Sequence, residues 1–254
     1  MSVPFKLQTR FNRYFDFVIL IVVILAAWQV LYLLVGTAAL TPPVATLTYA
    51  LKLLVEPDFQ LHMRASLDAF YQALLIAYAL GLVLGLTLGF YRFASEVIEP
   101  LLSALYSLPK LTLYPIVLLT FGLGTSAKVA FGVIHGLIPV ALFCMNAVQT
   151  INPSHLRTAR ALRLSSIETI RTIVTPAIVP EIFTGLRVGF SLTLLGVLTG
   201  EMFASQRGLG FLLINAINMN DVKLIMALIL ILFFFATCVN GMMLSVDKKL
   251  HQRS

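Results

Sequence analysis

INPSHLRTARALRLSSIETIRTIVTPAIVP, residues 151–180, is a polar island in a chain that is otherwise mostly hydrocarbon-like. It carries His155, Arg157, Arg160, Arg163 and Arg171 against one acid, Glu168. Apolar segments long enough to cross a bilayer lie on both sides of it. Pro153 and Ser154 read as a helix start. Leu156, Ala159 and Leu162 to Leu164 then recur near helical spacing, and the arginines take the other faces. Ser165-x-x-Glu168 has capping-box form and starts a second short helix, which Thr175-Pro176 is expected to end. Two short amphipathic helices between two spans suggest a rigid knob that docks into a partner's groove, rather than a loose linker.

The composition explains why such an island stands out. Of 254 residues, 59% are hydrophobic and only 11% charged, with a mean hydropathy of +0.94; a soluble domain has roughly 25% charged residues. That deficit excludes a water-facing surface and makes the chain an integral membrane protein. Long apolar runs without period-two alternation select helices over a closed barrel. The net charge of +7 would point to nucleic acid in a soluble protein. Here basic cytoplasmic loops explain it, and no nucleic-acid partner is expected. Cys144 and Cys238 both fall in predicted spans and read as buried free thiols. No CxxC and no His/Cys cluster suggests a metal.

Taken in order, residues 1–14 form a basic tail and Phe15–Val35 an uncleaved first span. Residues 37–63 form an outer loop with a short interfacial helix at Val44–Val55. The second span is Ser66–Phe90, where Ala77, Gly81, Gly85 and Gly89 recur every four residues and admit a close helix neighbour. Arg92, Glu96 and Glu99 make an inner loop. The third span, Ile98–Phe121, is interrupted by Pro109 and Pro115 and contains Lys110. A charge in mid-span costs roughly 2.5–3.5 kcal/mol on insertion scales. Lys110 therefore either meets an anionic substrate on a translocation path or snorkels and pairs within the protein. GLGTSAK at 122–128 is an outer turn: GxxxxGK[ST] is absent and a span precedes it.

The fourth span is Ala127–Val148. Its His135 is either a neutral helix contact or a pathway residue. The fifth is Ile182–Phe203, with Gly185, Gly189, Gly196 and Gly200 on a packing face. Within it Arg187 could reach headgroups or Glu181. Glu201, near its outer end, is either an interfacial acid beside Arg207 or part of the pathway wall. The sixth span is Leu224–Leu244, followed by a basic tail, Asp247–Arg253. Placing both tails, Arg92 and the island on one side gives it eleven Lys and Arg: Lys6, Arg10, Arg13, Arg92, the island's four arginines, Lys248, Lys249 and Arg253. The other side has five, Lys52, Arg64, Lys128, Arg207 and Lys223. The bias predicts six crossings with both termini and the island in the cytoplasm.

Several strings together resemble the permease subunits of ABC importers, nearest the nitrate, taurine, aliphatic sulfonate and thiamine-precursor group. They are Thr41-Pro42-Pro43, SLPKLTLYPIVLLTFGLGTSAK (107–128), NPSHLRTARALRLS, TPAIVPEIFTGLR (175–187) and GEMFASQRGLGFLL (200–213). The resemblance covers nearly the whole chain. It implies an all-α integral membrane protein with the type I importer permease fold: one permease domain over 1–254, core spans within 66–245 and a cytoplasmic coupling loop at 151–176. By the same resemblance His155, Arg157, Ala159, Arg160, Leu162, Arg163, Leu164 and Ser165 would contact an ATPase, while Lys110, His135 and Glu201 are candidates for the translocation pathway. The implied partners are two ABC ATPase subunits carrying ATP and Mg, a second permease copy and an extracytoplasmic substrate-binding protein at a bacterial inner membrane. This chain itself would bind no cofactor.

Two positions depart from the family loop. It usually has an acid where Arg157 stands and a glycine where Arg163 stands. This points to a differently shaped knob, or to a heterodimer whose other permease keeps the usual pattern. The chain has no phosphate loop, catalytic triad or metal cluster of its own, so uphill transport would need a partner's energy. The competing class is an ion-driven secondary transporter or channel, which would show inverted repeats or paired broken helices. The expected solute is a small organic anion (a sulfonate or carboxylate) or nitrate, with a neutral or cationic thiamine precursor or other heteroaromatic compound as the alternative.

Overall fold

The computed structural model describes residues 9–251. The side chains of residues 9–14, His155, Leu156, Arg160 and Ser166 are outside that description, as are residues 1–8 and 252–254. Eleven α-helices follow one another: α1 (Thr9–Val35), α2 (Pro43–Leu53), α3 (Pro57–Phe90), α4 (Arg92–Ser107), α5 (Tyr114–Phe121), α6 (Thr125–Gln149), α7 (Pro153–Ala161), α8 (Ser166–Thr169), α9 (Thr175–Ala204), α10 (Leu209–Asn218) and α11 (Val222–His251). No strand occurs among the described residues. Among the described residues, five helical stretches are long and apolar enough to cross a membrane. A sixth crossing is made if α4 and the Lys110–Phe121 stretch, bent by 94° at their break, count as one.

The chain divides into two compact units. One comprises the residues up to Glu56 with Asn215–Leu232. In it, the Trp28 indole donates to the Thr41 carbonyl at 3.0 Å, and the Thr41 and Thr46 hydroxyls are bonded at 2.6 Å, which fixes the start of α2. The other comprises Pro57–Ile214 with the end of α11 from Phe233.

In this larger unit α6 is the central helix. Most of its residues are buried, which a helix flanked by neighbours on several faces requires. The expected small-residue stripes are its contact surfaces. A Cβ on Gly81 would lie 2.7 Å from the Val140 side chain, and one on Gly89 2.7 Å from that of Val148. On the adjoining flank, a Cβ on Gly196 of α9 would lie 2.6 Å from the Phe131 carbonyl oxygen, and one on Gly200 2.7 Å from the Lys128 Cα. Glycine lets α3 and α9 approach the α6 backbone where any larger residue would hold them apart. The end of α11 joins through long side chains: Phe235, Val239 and Met243 pack on Ala69, Phe70, Phe190 and Val197.

Several boundaries differ from the sequence reading. α3 starts at Pro57 rather than Ser66, so much of the expected outer loop is helix. Arg92 opens α4 and pairs with Glu96 one turn on, at 3.0 Å, instead of sitting in a loop. Thr175-Pro176 does not end a helix. Pro176 sits in the first turn of α9, where a missing N–H costs nothing. The ring would crowd the Thr172 carbonyl of a regular helix, and Ile170–Val174 widens into a π-turn there. The helical path therefore runs from Ile167 to Ala204 without a break. α11 continues to His251, so Asp247 lies on a helix and is buried, not part of a solvated tail. Cys238 is exposed on α11, whereas Cys144 is buried as expected.

Candidate functional site

The island folds into a helix, a turn and a second helix whose feet are held in the bundle. Ile151 packs on the cluster of Ala147, Val148, Val174 and Ile178, so both ends of the loop rest on one apolar patch. The Asn152 side-chain oxygen accepts from the Ser154 N–H at 2.9 Å, which makes Asn152 the N-cap of α7 with Pro153 at the first helical position. At the other end the Leu164 N–H reaches back to the Ala159 carbonyl at 3.0 Å. That six-to-one bond, with the residue before Leu164 in the left-handed region, is a Schellman stop.

The left-handed residue is Arg163, at φ +52. This is the position where the family pattern calls for glycine. The loop keeps the glycine geometry and places an arginine in it, a conformation that costs an L-residue on the order of 1–2 kcal/mol. Arg163→Gly is therefore expected to stiffen the turn by about 1 kcal/mol, measured as slower amide exchange from Ala159 to Ser165. Unchanged or faster exchange would show that the arginine side chain itself holds the turn.

The second helix begins as the capping box prescribes. The Glu168 carboxylate accepts from the Ser165 N–H at 2.8 Å and the Ser165 hydroxyl at 2.7 Å, and the Ser165 oxygen accepts from the Glu168 N–H at 3.3 Å. The Ser165 backbone and hydroxyl donors hold the Glu168 carboxyl below its ordinary range. The stabilisation is therefore present above the ordinary carboxylate range and is lost as pH falls through the depressed folded value. Amide protection at Thr169, corrected for intrinsic exchange, should survive acidification through the ordinary carboxylate range and be lost only below it; Glu168→Ala should weaken it at every pH.

The assembled loop presents a mixed apolar and basic surface. Leu162 is 65% exposed, Ile167 79% and Ile170 52%, with Arg157 and Arg163 exposed beside them. Ala159 faces inward and is buried, Leu164 is half-buried, and Ser165 is exposed. His155 and Arg160 lie on α7, but their side chains are outside the description.

Toward the far end of α6, about 32 Å along the helix from Gln149 to Lys128 at 1.5 Å per residue, is a second polar centre. Glu201 has no exposed surface. Its carboxylate accepts from the Lys128 ammonium at 3.2 Å, the Ser66 hydroxyl at 2.8 and 2.7 Å, and the Gly210 N–H at 3.0 Å. Lys128, itself buried, also donates to the carbonyls of Ala65 and Arg207 at 3.4 and 3.3 Å. Ser66 accepts from the Leu209 N–H at 2.7 Å, and the His62 ring from the Gly208 N–H at 3.1 Å. Charge and hydrogen bonding are thus balanced with little water. One carboxylate ties α3, α6 and α9 to the first turn of α10. It is not an interfacial acid beside Arg207, whose nearest role is a backbone carbonyl for Lys128. Sequence reading missed Lys128 as its partner because an outer-turn lysine is ordinarily solvated. A seven-residue gap between Ala127-Lys128 and Ile134-His135 places Lys128 and His135 on the same buried side of α6, and that was the available signal.

The remaining candidates are separate from this centre. Lys110 begins a short 3₁₀ turn, Lys110–Leu113, at the break between α4 and α5. Its ammonium donates to the Tyr106 carbonyl at 3.1 Å and lies 5.2 Å from the Tyr106 ring centroid. None of the described carboxylates pairs with it. His135 is buried against α9; its Nδ1 is 2.8 Å from the Phe131 carbonyl oxygen. Arg187 turns neither to headgroups nor to Glu181 but to Asp247 of α11, at 3.3 Å. Asp247 also accepts from the Thr184 hydroxyl at 3.0 Å.

Residues 77–252 match the family described as binding-protein-dependent transport system inner membrane component. The chain belongs to this family. A probable ABC transporter permease protein of Haemophilus influenzae is 29% identical over 191 residues, covering 75% of this chain and 77% of the relative. A putative aliphatic sulfonates transport permease of Bacillus subtilis is 25% identical over 231 residues, covering 90% and 83%. A nitrate import permease of Synechococcus elongatus is 26% identical over 219 residues, covering 82% and 78%. Membership makes the chain a non-catalytic inner-membrane permease subunit of an ABC importer, whose energy and solute come through an ATPase and a substrate-binding protein. The all-helical permease fold expected from the sequence is the observed one.

Proposed function

We propose that this permease imports a small organic anion, with residues 151–176 as the surface that receives force from the ATPase. One observation carries the reading: an exposed apolar and basic knob, held rigid by two helix caps, continues through the π-turn directly into α9. A push on Leu162, Ile167, Arg157 or Arg163 then moves a whole span as a rigid body. His155, Ala159, Arg160, Leu164 and Ser165 complete the knob. ATP and Mg sit on the ATPase, in two copies, beside two permeases. These form a homodimer in the simplest assembly, with a heterodimer as the alternative. The knob and both termini face the cytoplasm. Removing the buried Lys128 from the outer count leaves eleven basic residues against four (five less Lys128), which favours that orientation.

Lys110 is the pathway residue for the anion. It stands at the break of the third span with its charge unneutralised by any described carboxylate, and relatives described as a putative aliphatic sulfonates permease and a nitrate import permease align with most of the chain. His135 and Glu201 shape the wall of the path rather than touching the solute. Uptake by proteoliposomes containing the permease, its ATPase and its binding protein tests the reading. Accumulation of an alkanesulfonate should require internal ATP and should fall severalfold in Lys110→Met. Uptake that follows an imposed ion gradient without ATP would make the chain a secondary transporter instead.

A further inference from the structure

Two cavities meet at Gln72 and Thr125, at the end of α6 away from the knob. The first, about 590 Å³, has a mixed lining to which Asp68, Gln72, Thr125, Gln206 and Arg207 contribute the polar groups. The second, about 450 Å³, is mainly apolar and is lined by Ile76, Phe121, Val129, Ala130, Val133 and Ile134. Asp68, Gln72 and Ile76 recur every four residues on one face of α3, and Thr125, Val129 and Val133 do the same on α6. The two helices therefore form a trough with a polar mouth and an apolar floor. From Thr125 to Ile134 it descends about 13 Å toward the centre of the span.

The charges at the mouth are specific. Lys128 lines the first cavity, but its ammonium is taken by Glu201. The Asp68 carboxylate and the Arg207 guanidinium are both exposed, and neither side chain has a hydrogen-bond or ion-pair partner in the described chain. The mouth thus offers one free anion and one free cation above a hydrocarbon-lined trough.

We propose that this trough holds one zwitterionic phospholipid, its ammonium on Asp68, its phosphate on Arg207 and one acyl chain along α3 and α6. Arginine suits the phosphate because its planar fork can give two parallel hydrogen bonds. A lipid whose headgroup carries a phosphate but no ammonium would leave Asp68 unpaired and facing a like charge. The proposal needs only that the chain spans a bilayer, and is independent of the solute and of the coupling surface.

The test is native mass spectrometry of the detergent-purified protein, with whatever subunits it retains, delipidated and titrated with dioleoyl phosphatidylethanolamine or dioleoyl phosphatidylglycerol. The wild type should retain the ethanolamine lipid about three- to fivefold more strongly. Asp68→Asn and Arg207→Gln, both at exposed positions, should each erase most of that preference. Ala130→Phe, which fills the trough, should weaken both lipids and leave their ratio unchanged. Equal retention of the two lipids by the wild type, or an unchanged preference in both charge variants, would overturn the proposal. Displacement of the lipid by an equimolar amount of soluble glycerophosphoethanolamine would overturn it too, since the site would then take a solute. So would cross-linking of position 133 to another protein, which would make the trough a subunit interface.

Discussion

Lys128→Met should lower the yield of folded permease sharply and destabilise what remains by about 3–5 kcal/mol. Glu201 has no exposed surface and Lys128 is 2% exposed, so removing the lysine strands a carboxylate where water cannot reach it. Ser66 and the Gly210 N–H still donate to it, but two neutral donors do not balance a buried charge. The carboxylate would have to take up a proton or pull the Ser205–Gly210 segment out of place. Lys128→Met with Glu201→Leu should recover much of the loss, because a buried pair replaced by apolar groups of similar size is often neutral or better. Thermal unfolding in detergent of the single and double variants is the check. A single variant within 1 kcal/mol of wild type would show that water enters this centre.

Gly85→Ala is expected to have the next largest effect, although it adds only one methyl group. The new Cβ would meet the Ala141 carbonyl oxygen, with the Cys144 Cβ at 2.6 Å and the Ala141 Cα at 3.0 Å. Two of these three atoms are backbone, so no side-chain rotation makes room and α3 must move off α6. Overpacking of this kind costs about 1–3 kcal/mol, and here it would loosen the most extensive helix pairing on that flank. Gly241→Ala is the control. Nothing lies within 4 Å of a Cβ there, and alanine favours a helix over glycine by about 1 kcal/mol, so the variant should be neutral or slightly more stable. Equal effects of the two substitutions on unfolding temperature would contradict the close contact of α3 with α6.

Elements written in local chemistry were legible in the sequence. The small-residue stripes on α3 and α9 identified their packing faces, because a four-residue spacing on a helix has only one geometric meaning. Ser165 and Glu168 marked a helix start, and Pro109 marked a break, for similarly local reasons. What the sequence obscured depends on partners far along the chain. Glu201 and Lys128 are 73 residues apart, as the span of their hydrogen bond shows, and Arg187 and Asp247 lie on different helices. Each of these residues, taken alone, looks like an ordinary interfacial charge. Thr175-Pro176 misled for another reason: a proline stops a helix arriving from before it but is welcome in the first turn of the next. The π-turn joins the two cases. At Arg163 the departure from glycine was visible in the sequence, but only the backbone shows that the left-handed turn was kept.

The central claim is that the 151–176 knob joins this permease to an ATPase. It is tested most directly by affinity purification of the tagged chain from native membranes in mild detergent, followed by intact-complex mass spectrometry. The account predicts a complex with two ATPase subunits and two permeases, which loses the ATPases when Leu162 and Ile167 are both replaced by aspartate while the permeases remain paired. A permease recovered without any ATPase, even after cross-linking, would contradict it, as would an ATPase retained in full by that double variant.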